Sequence, residues 1–428
     1  MHFVLVTFGT QGDVRPFVAL GLGLKRRGHR VTIATHTDFE SLITSRGLGF
    51  RPVGGSFKAL MESAPGRAWL ESSDSMVRYV KTFRRLFEPL VRPWIEDTRA
   101  ALLDADAVVF HHAAAAAFHT AEQRGLPSVS VAPCPIIPTG DIPPITFPHM
   151  PKWPWLRRVA CRLFLRGLWS YQLKTHAAHR AELGLAPFRS AIPTLEILAA
   201  GVPCLNIFSQ QLVPRPADWP EQAQVTGFCQ LDAAEGWSPP PRVLEFLRAG
   251  PAPIYVGFGS MTGWDGERLA RLAADAVARA GQRAIMVSGW AGLGSGTPLG
   301  EHVLLVDEIP HDWLFPRVAA VVHHGGAGTT AAGLRAGKPT LVSAFFGDQP
   351  FWGAQVARVG AGPAPLLRRN LTEENLATAI TKTLGAEYRQ GAERMGALLR
   401  REDGVGSAVN FIEQHVTRAA REQPLRLG

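Results

Sequence analysis

The chain has 428 residues, 46% of them apolar and 19% charged, with 45 Lys and Arg against 36 Asp and Glu. That length exceeds what one hydrophobic core usually serves, so two domains are expected, and no run of 18 apolar residues offers a transmembrane helix. The formal charge of +9 favours anionic partners, but no nucleic-acid motif or aromatic-basic interleaving accompanies it, so an anionic substrate or an acidic membrane surface accounts for it more simply.

The first predicted strand is the apolar run Phe3 to Phe8. No basic region precedes it, so no signal peptide is expected and the cytoplasm is the expected location. Gly9-Thr10-Gln11-Gly12 breaks the run. Pro16 then takes the first position of a helix through Val18, Leu20, Leu22 and Leu24 that stops at Gly28. Val31 to Thr35 is the next strand, which completes a β-α-β unit and predicts a parallel sheet. Ala107 to Phe110, the Ala-rich helix 113–124 and Ser128 to Val131 continue the rhythm. Cys134, Cys161, Cys204 and Cys229 stand apart, without metal-ligand spacing, as buried thiols compatible with a reducing compartment.

From Pro133 to Pro154 the density of prolines predicts an irregular loop. Lys152 to Arg180 then holds seven Lys or Arg and no acid, interleaved with Trp153, Trp155, Leu163, Trp169 and Tyr171. Two readings fit: a helical excursion that walls an acceptor pocket, or a basic helix at a membrane interface. Glu235 to Pro241 and a short helix ending at Gly250-Pro251 form the seam between two halves. The second half restarts with Ile254 to Phe258, a helix over 266–280, and strands near 284–287, 303–306, 319–323 and 340–343. The pattern predicts two facing doubly wound α/β domains with ligands at the carboxyl ends of their strands. The first spans 1–235, a linker 236–252 and the second 253–400, and a tail, 401–428, packs back on the first domain.

The motif richest in chemistry is Val321 to Thr330, where an apolar strand ends in His323-His324, Gly325-Gly326 follows, and a helix starts at about Ala327. Backbone N–H groups around Gly326 and Gly328, with the hydroxyls of Thr329 and Thr330, would converge there on an anion such as a diphosphate. His324 is either a satisfied core histidine or a phosphate ligand; strand alternation would turn His323 the other way. Asp348-Gln349 offers acceptors for sugar hydroxyls. Ser260, after a buried strand, is a turn serine or a diphosphate contact. Trp290 is a packing plug or a cover for the nucleotide, and Ile309 can offer backbone polar groups to a base edge. Asp13, in the loop after the first strand, is either a helix cap or a base for an incoming hydroxyl. His111 and His112 end a strand, which leaves an acceptor-side role open.

These segments resemble the inverting GT-B glycosyltransferases of the UDP-glycosyltransferase family, in pattern nearest to sterol 3-beta-glucosyltransferases and bacterial antibiotic-tailoring enzymes. Gly9 to Phe17 looks like the sterol-type GSRGDVQPF segment, Tyr255 to Met261 like YIGFGSM, His323 to Thr330 like HHGGAGTT, and Gly347 to Gly353 like GDQPFWG. The resemblance implies a GT-B fold, Asp13 as general base, and Ser260, His324, Gly326 and Thr329 as diphosphate contacts. Asp348 and Gln349 become contacts to the donor hexose. Glu308 stands where plant relatives carry the tryptophan that stacks on uracil, so base contacts must come from elsewhere.

The implied reaction moves glucose from UDP-glucose to a lipophilic alcohol such as a sterol, with inversion to a β-glycoside. The UDP-sugar is a co-substrate, and no cofactor or metal is expected. A UDP- or TDP-deoxysugar and a polyketide, terpenoid or phenolic acceptor form the alternative, and a nucleotide-sugar epimerase or non-catalytic binding module the different class. The expected partners are the nucleotide sugar and the lipophilic acceptor, with no nucleic acid; segment 152–180 is a candidate for peripheral membrane contact. A monomer or weak dimer is expected, and the residues lining the acceptor pocket are not readable.

Overall fold

In the computed structural model, residues 1–72, 76–259, 266–289 and 298–422 are described. Ser260 and Trp290 lie outside these residues. Two parallel sheets organise the chain. The first joins β1 (His2–Val6), β2 (Arg30–Thr35), β3 (Gly49–Pro52), β4 (Ala107–His111), β5 (Ser128–Ala132), β6 (Cys204–Asn206) and β7 (Ala223–Val225) in the order β3-β2-β1-β4-β5-β6-β7. The second joins β8 (Ile254–Gly257), β9 (Ala284–Val287), β10 (Val303–Val306), β11 (Val321–His323), β12 (Thr340–Ala344) and β13 (Leu366–Leu367) in the order β10-β9-β8-β11-β12-β13. The central strands are continuous apolar runs because helices cover both faces. The predicted doubly wound architecture is what the chain adopts.

Strand order reverses between β1 and β4 in one sheet and between β8 and β11 in the other. At such a switch point neighbouring loops leave toward opposite faces, and a crevice opens beyond the carboxyl ends of the strands. The loops after β1 and β4 therefore converge, as do those after β8 and β11.

The helix after β1 runs from Gln11 to Arg26 with Pro16 inside it, not at its start. A capping box moves the start: the Asp13 carboxylate accepts from the Thr10 N–H while the Thr10 side chain caps the first turn. Pro16 then has no N–H for the Gly12 carbonyl, the cost of a proline within a helix. The Gly404–Glu422 helix crosses back onto the first domain, where Ala408, Val409, Ile412 and Val416 join the core of Phe3, Leu5, Val18 and Leu20. A fully buried side chain of this kind contributes about 1.5–3 kcal/mol, and Arg27–Asn410 and His29–Glu413 hydrogen bonds add polar ties.

Candidate active site

A cleft of about 1000 Å³ lies between the domains and collects both switch points. From the first domain come Gly9 to Asp13 and Ala113 to Ala116; from the second come Gly259, Asp307 to Ile309, His324, Gly326 to Thr329, Asp348 and Gln349.

Asp13 serves as both cap and cleft residue, one oxygen to each. Its Oδ2 accepts from the Thr10 N–H at 2.8 Å and the Thr10 hydroxyl at 3.2 Å. Gly9, at φ +116°, makes room: a Cβ there would stand 2.4 Å from Oδ2. Oδ1 faces His111 Nε2 at 3.7 Å. His111 Nδ1 accepts from the Ala113 N–H at 3.3 Å, so the ring proton sits on Nε2 and points toward Asp13. Burial lowers the His111 pKa to about 4, which keeps the ring neutral. Burial also raises the Asp13 carboxyl to about 6, against the pull of its Thr10 hydrogen bonds. A carboxylate poised there, with 29% of its side chain open, can take a proton from a hydroxyl near neutral pH.

On the opposite wall the helix Ala327–Arg335 begins at Gly326, which supplies no side-chain cap. Among the described residues no backbone or side-chain acceptor takes the N–H groups of Ala327, Gly328 and Thr329, so this terminus offers donors and the positive end of its dipole to the cleft. His324 lies against it and lines the cleft. The ring fits only because Gly259 and Gly326 lack side chains: a Cβ on either would come within 2.6 or 2.7 Å of it. His323 is fully buried and its Nδ1 accepts from the Gly325 N–H at 3.0 Å.

Two expected donor residues behave otherwise. Thr330 is fully buried, and its hydroxyl donates to the Gly326 carbonyl at 2.9 Å. One further helical step from Thr329 turns it inward, so it does not reach the cleft. Gln349 does border the cleft, but its Oε1 is spent on the N–H groups of Phe345 and Phe346 at 2.8 and 3.2 Å. That oxygen clasps the 345–349 loop and is not a free acceptor for sugar hydroxyls. Asp348 accepts from the Trp352 indole at 2.7 Å, and burial raises its pKa to about 6, helped by the charge of Asp13. Ile309 lines the cleft beside Glu308, which pairs with Arg15 of the first domain at 3.4 Å.

The first domain's side of the cleft, unreadable in sequence, is an aromatic wall. Phe57 and Met61 (helix Phe57–Glu62), Trp69 and Leu70 (helix Ala64–Glu71), Phe83 and Phe87 (helix Met76–Phe87), and Trp94 (helix Val91–Ala101) line it. Of the two readings of segment 152–180, the pocket wall is met only in small part: among the described residues of 133–180, Pro133, Tyr171, Gln172 and His176 line the cleft. Phe346 reaches over from the second domain to pack on Trp69 at 5.7 Å, which joins the aromatic wall to the 345–349 loop. The periodic aromatics over 57–94 were the available signal, though they read equally as core.

Models of known families match both halves: the glycosyltransferase family 28 N-terminal domain over residues 3–140, and the erythromycin biosynthesis protein CIII-like C-terminal domain over 291–401. Two sterol 3-beta-glucosyltransferases of Arabidopsis thaliana are 35% and 34% identical, across 98% and 97% of this chain and 66% and 68% of their own lengths. A sterol 3-beta-glucosyltransferase of Debaryomyces hansenii is 31% identical across 96% of this chain but 26% of its own. The chain thus spans about two thirds of the plant relatives and a far smaller part of the yeast one. Among solved structures, the calicheamicin glycosyltransferase CalG4 superposes with a TM-score of 0.69 at 18% identity, covering 97% of this chain and 98% of that one. Glycosyltransferase VinC, solved with DTDP, gives 0.67 at 20% identity over 98% and 100%. Sequence likeness over nearly the whole chain, on a fold shared with these structures, means that the chain belongs to the GT-B glycosyltransferase family that includes the sterol 3-beta-glucosyltransferases.

Proposed function

We propose that the protein is an inverting glycosyltransferase that moves glucose from UDP-glucose to the hydroxyl of a flat lipophilic alcohol such as a sterol, giving a β-glycoside. The observation that carries this reading is the position of Asp13, whose open carboxylate oxygen lies in one cleft with an aromatic wall and an uncapped helix terminus. In this reading Asp13 Oδ1 takes the proton of the acceptor hydroxyl while that oxygen attacks the sugar C1 and UDP departs from the opposite face. His111 orients the carboxylate. His324, Thr329 and the N–H groups after Gly326 hold the diphosphate and receive its developing charge, so that no metal takes part. Asp348 holds the hexose. The segment 307–309 borders the base, with Ile309 offering its backbone.

The test is mass spectrometry of the products formed from UDP-glucose with sterols, with polyketide and phenolic acceptors, and with TDP-sugars in parallel, each also in EDTA. A β-glucoside of a sterol, made undiminished in EDTA, is the expected product. UDP release without any acceptor would instead mean hydrolysis or epimerisation, and binding without turnover on every acceptor would mean a non-catalytic module.

A lipophilic acceptor arrives from a membrane, and the helix Pro154–Trp169 supports contact with one. Its inner face buries Arg157, Cys161, Leu165 and Trp169, while Trp155, Val159 and Leu163 project outward beside Arg162 and Arg166. Trp153 and Trp155 are 58% and 63% exposed. Aromatic and aliphatic side chains beside Arg162 and Arg166, which form no ion pair among the described residues, suit an anionic bilayer surface. No helix among the described residues is long and apolar enough to cross a membrane. The protein is expected to co-sediment with vesicles containing phosphatidylserine, and Trp155→Ala with Leu163→Asp to weaken this about tenfold or more while sparing transfer to a water-soluble acceptor. Wild-type protein that stays in the supernatant would refute the membrane contact.

A further inference from the structure

A buried polar chain runs through the first domain and ends at the cleft. Arg180, 4% exposed, donates from Nη1 to Glu122 Oε2 at 2.7 Å and from Nε to the Ala186 carbonyl at 2.7 Å. The same Nη1 lies 3.0 Å from His119 Nδ1. His119 Nε2 lies 3.1 Å from His176 Nδ1, and His176 Nε2 lies 3.2 Å from Gln172 Oε1. Both rings are neutral: burial lowers His119 to about 2 and His176 to about 4, and the Arg180 guanidinium adds to the effect.

Chemistry gives this chain one direction. A guanidinium only donates, so His119 Nδ1 accepts and the His119 proton sits on Nε2. That proton is donated to His176 Nδ1, which puts the His176 proton on Nε2. His176 in turn donates to Gln172, whose near atom must be the carbonyl oxygen. Reversing any link would set two donors against each other at Arg180. The Gln172 amide nitrogen is therefore the outward end. Gln172 is 8% exposed and lines the cleft with Val91, Ile95, Ala116 and Tyr171. Its amide nitrogen has no hydrogen-bond partner among the described residues.

We propose that the Gln172 amide is a donor subsite for a second oxygen of the acceptor, so that the preferred acceptors are polycyclic alcohols carrying a carbonyl, hydroxyl or ether oxygen besides the hydroxyl that receives the sugar. This rests on the reading of the aromatic-walled cavity as the acceptor pocket. An acceptor with a single hydroxyl leaves this N–H facing hydrocarbon, whereas an oxygen at that point pairs it. Arg180, His119 and His176 act as positioning residues that forbid the amide from turning over.

The experiment compares a four-ring steroid alcohol bearing one hydroxyl with counterparts that carry a ketone on another ring. Binding is followed by quenching of the tryptophans that line the cleft, Trp69 and Trp94, and transfer by kcat/KM. Wild-type protein is expected to favour one of the keto alcohols about tenfold or more. Gln172→Met should erase that preference, with the keto alcohols weakened and the single-hydroxyl steroid bound at least as tightly, since no N–H is then left facing hydrocarbon. Gln172→Glu at pH 8 keeps the acceptor for His176 and loses the outward donor, so it should erase the preference without disturbing the chain. Equal binding of all the steroids by wild type, or equal weakening of all of them in both variants, would overturn the subsite and leave the acceptor reading standing. Failure of every steroid to bind would sink both.

Discussion

Asp13→Asn is expected to lower kcat for glycosyl transfer by about 10³-fold or more and to make the folded protein more stable at neutral pH. The first effect follows from the proposed role of Oδ1 as base, since an amide cannot take the acceptor proton. The second follows from linkage. Burial raises the Asp13 carboxyl to about 6 from an ordinary 3.8, so the folded state binds this proton more tightly than the unfolded chain does. The stabilising contribution of that proton is fully present below about pH 4 and is lost as pH rises through about 6; above that the buried charge is a net cost. Asn keeps an oxygen for the Thr10 N–H and carries no charge. The expected gain is about 1–2 kcal/mol at pH 7.5, allowing for the share of the carboxyl that faces solvent, and it should vanish near pH 4.

Thermal unfolding at the two pH values, beside product formation, measures both effects. Activity within tenfold of wild type would remove Asp13 as the base, and a stability loss at pH 7.5 would mean that the cap outweighs the charge. The wild-type rate should rise with pH through about 6. That limb belongs to Asp13 and Asp348 jointly, because each raises the cost of charging the other across the cleft.

How much of this was legible in the sequence depended on whether a residue's partner was near in the chain. The strands and the helix start at Gly326 were, because apolar runs broken by glycine carry their own periodicity. Asp13 was visible as a cap and as a base, but only the fold assigns one oxygen to each. His111 is far from Asp13 in sequence, and nothing local to either shows that β1 and β4 are neighbours that bring them together. Thr329 and Thr330 look equivalent on paper; a single helical step separates cleft from core. Gln349 reads as a sugar ligand until the loop folds back and its oxygen meets two N–H groups. The aromatic wall was hidden because Phe57, Phe83, Phe87 and Trp94 are as suitable for a core as for a pocket. In the structure they serve as both, packing on each other while lining the cleft.

His324→Ala should reduce kcat/KM by about 10²–10³-fold, the usual cost of one donor aimed at developing charge in a dry site. Burial lowers its pKa to about 4, with the Gly257 carbonyl pulling the other way but closing no hydrogen bond on Nδ1. The ring is therefore neutral at pH 7 and can offer a diphosphate one N–H, not a formal charge. His324→Gln, which retains a donor, should recover part of the loss; a His324→Gln variant as slow as His324→Ala would mean that the ring acts by packing between Gly259 and Gly326. The neighbouring threonines supply the control. Thr329→Val should raise the donor KM roughly tenfold by removing a hydroxyl from the cleft, the worth of one hydrogen bond to a charged group. Thr330→Val should leave that KM unchanged and cost about 1 kcal/mol of stability at most, because the Gly326 carbonyl still accepts from the Thr330 N–H at 2.9 Å. Equal effects of the two valines on the donor KM would place both hydroxyls in the cleft and contradict the inward turn of Thr330, while an unchanged KM in His324→Ala and Thr329→Val together would move the diphosphate away from this helix terminus altogether.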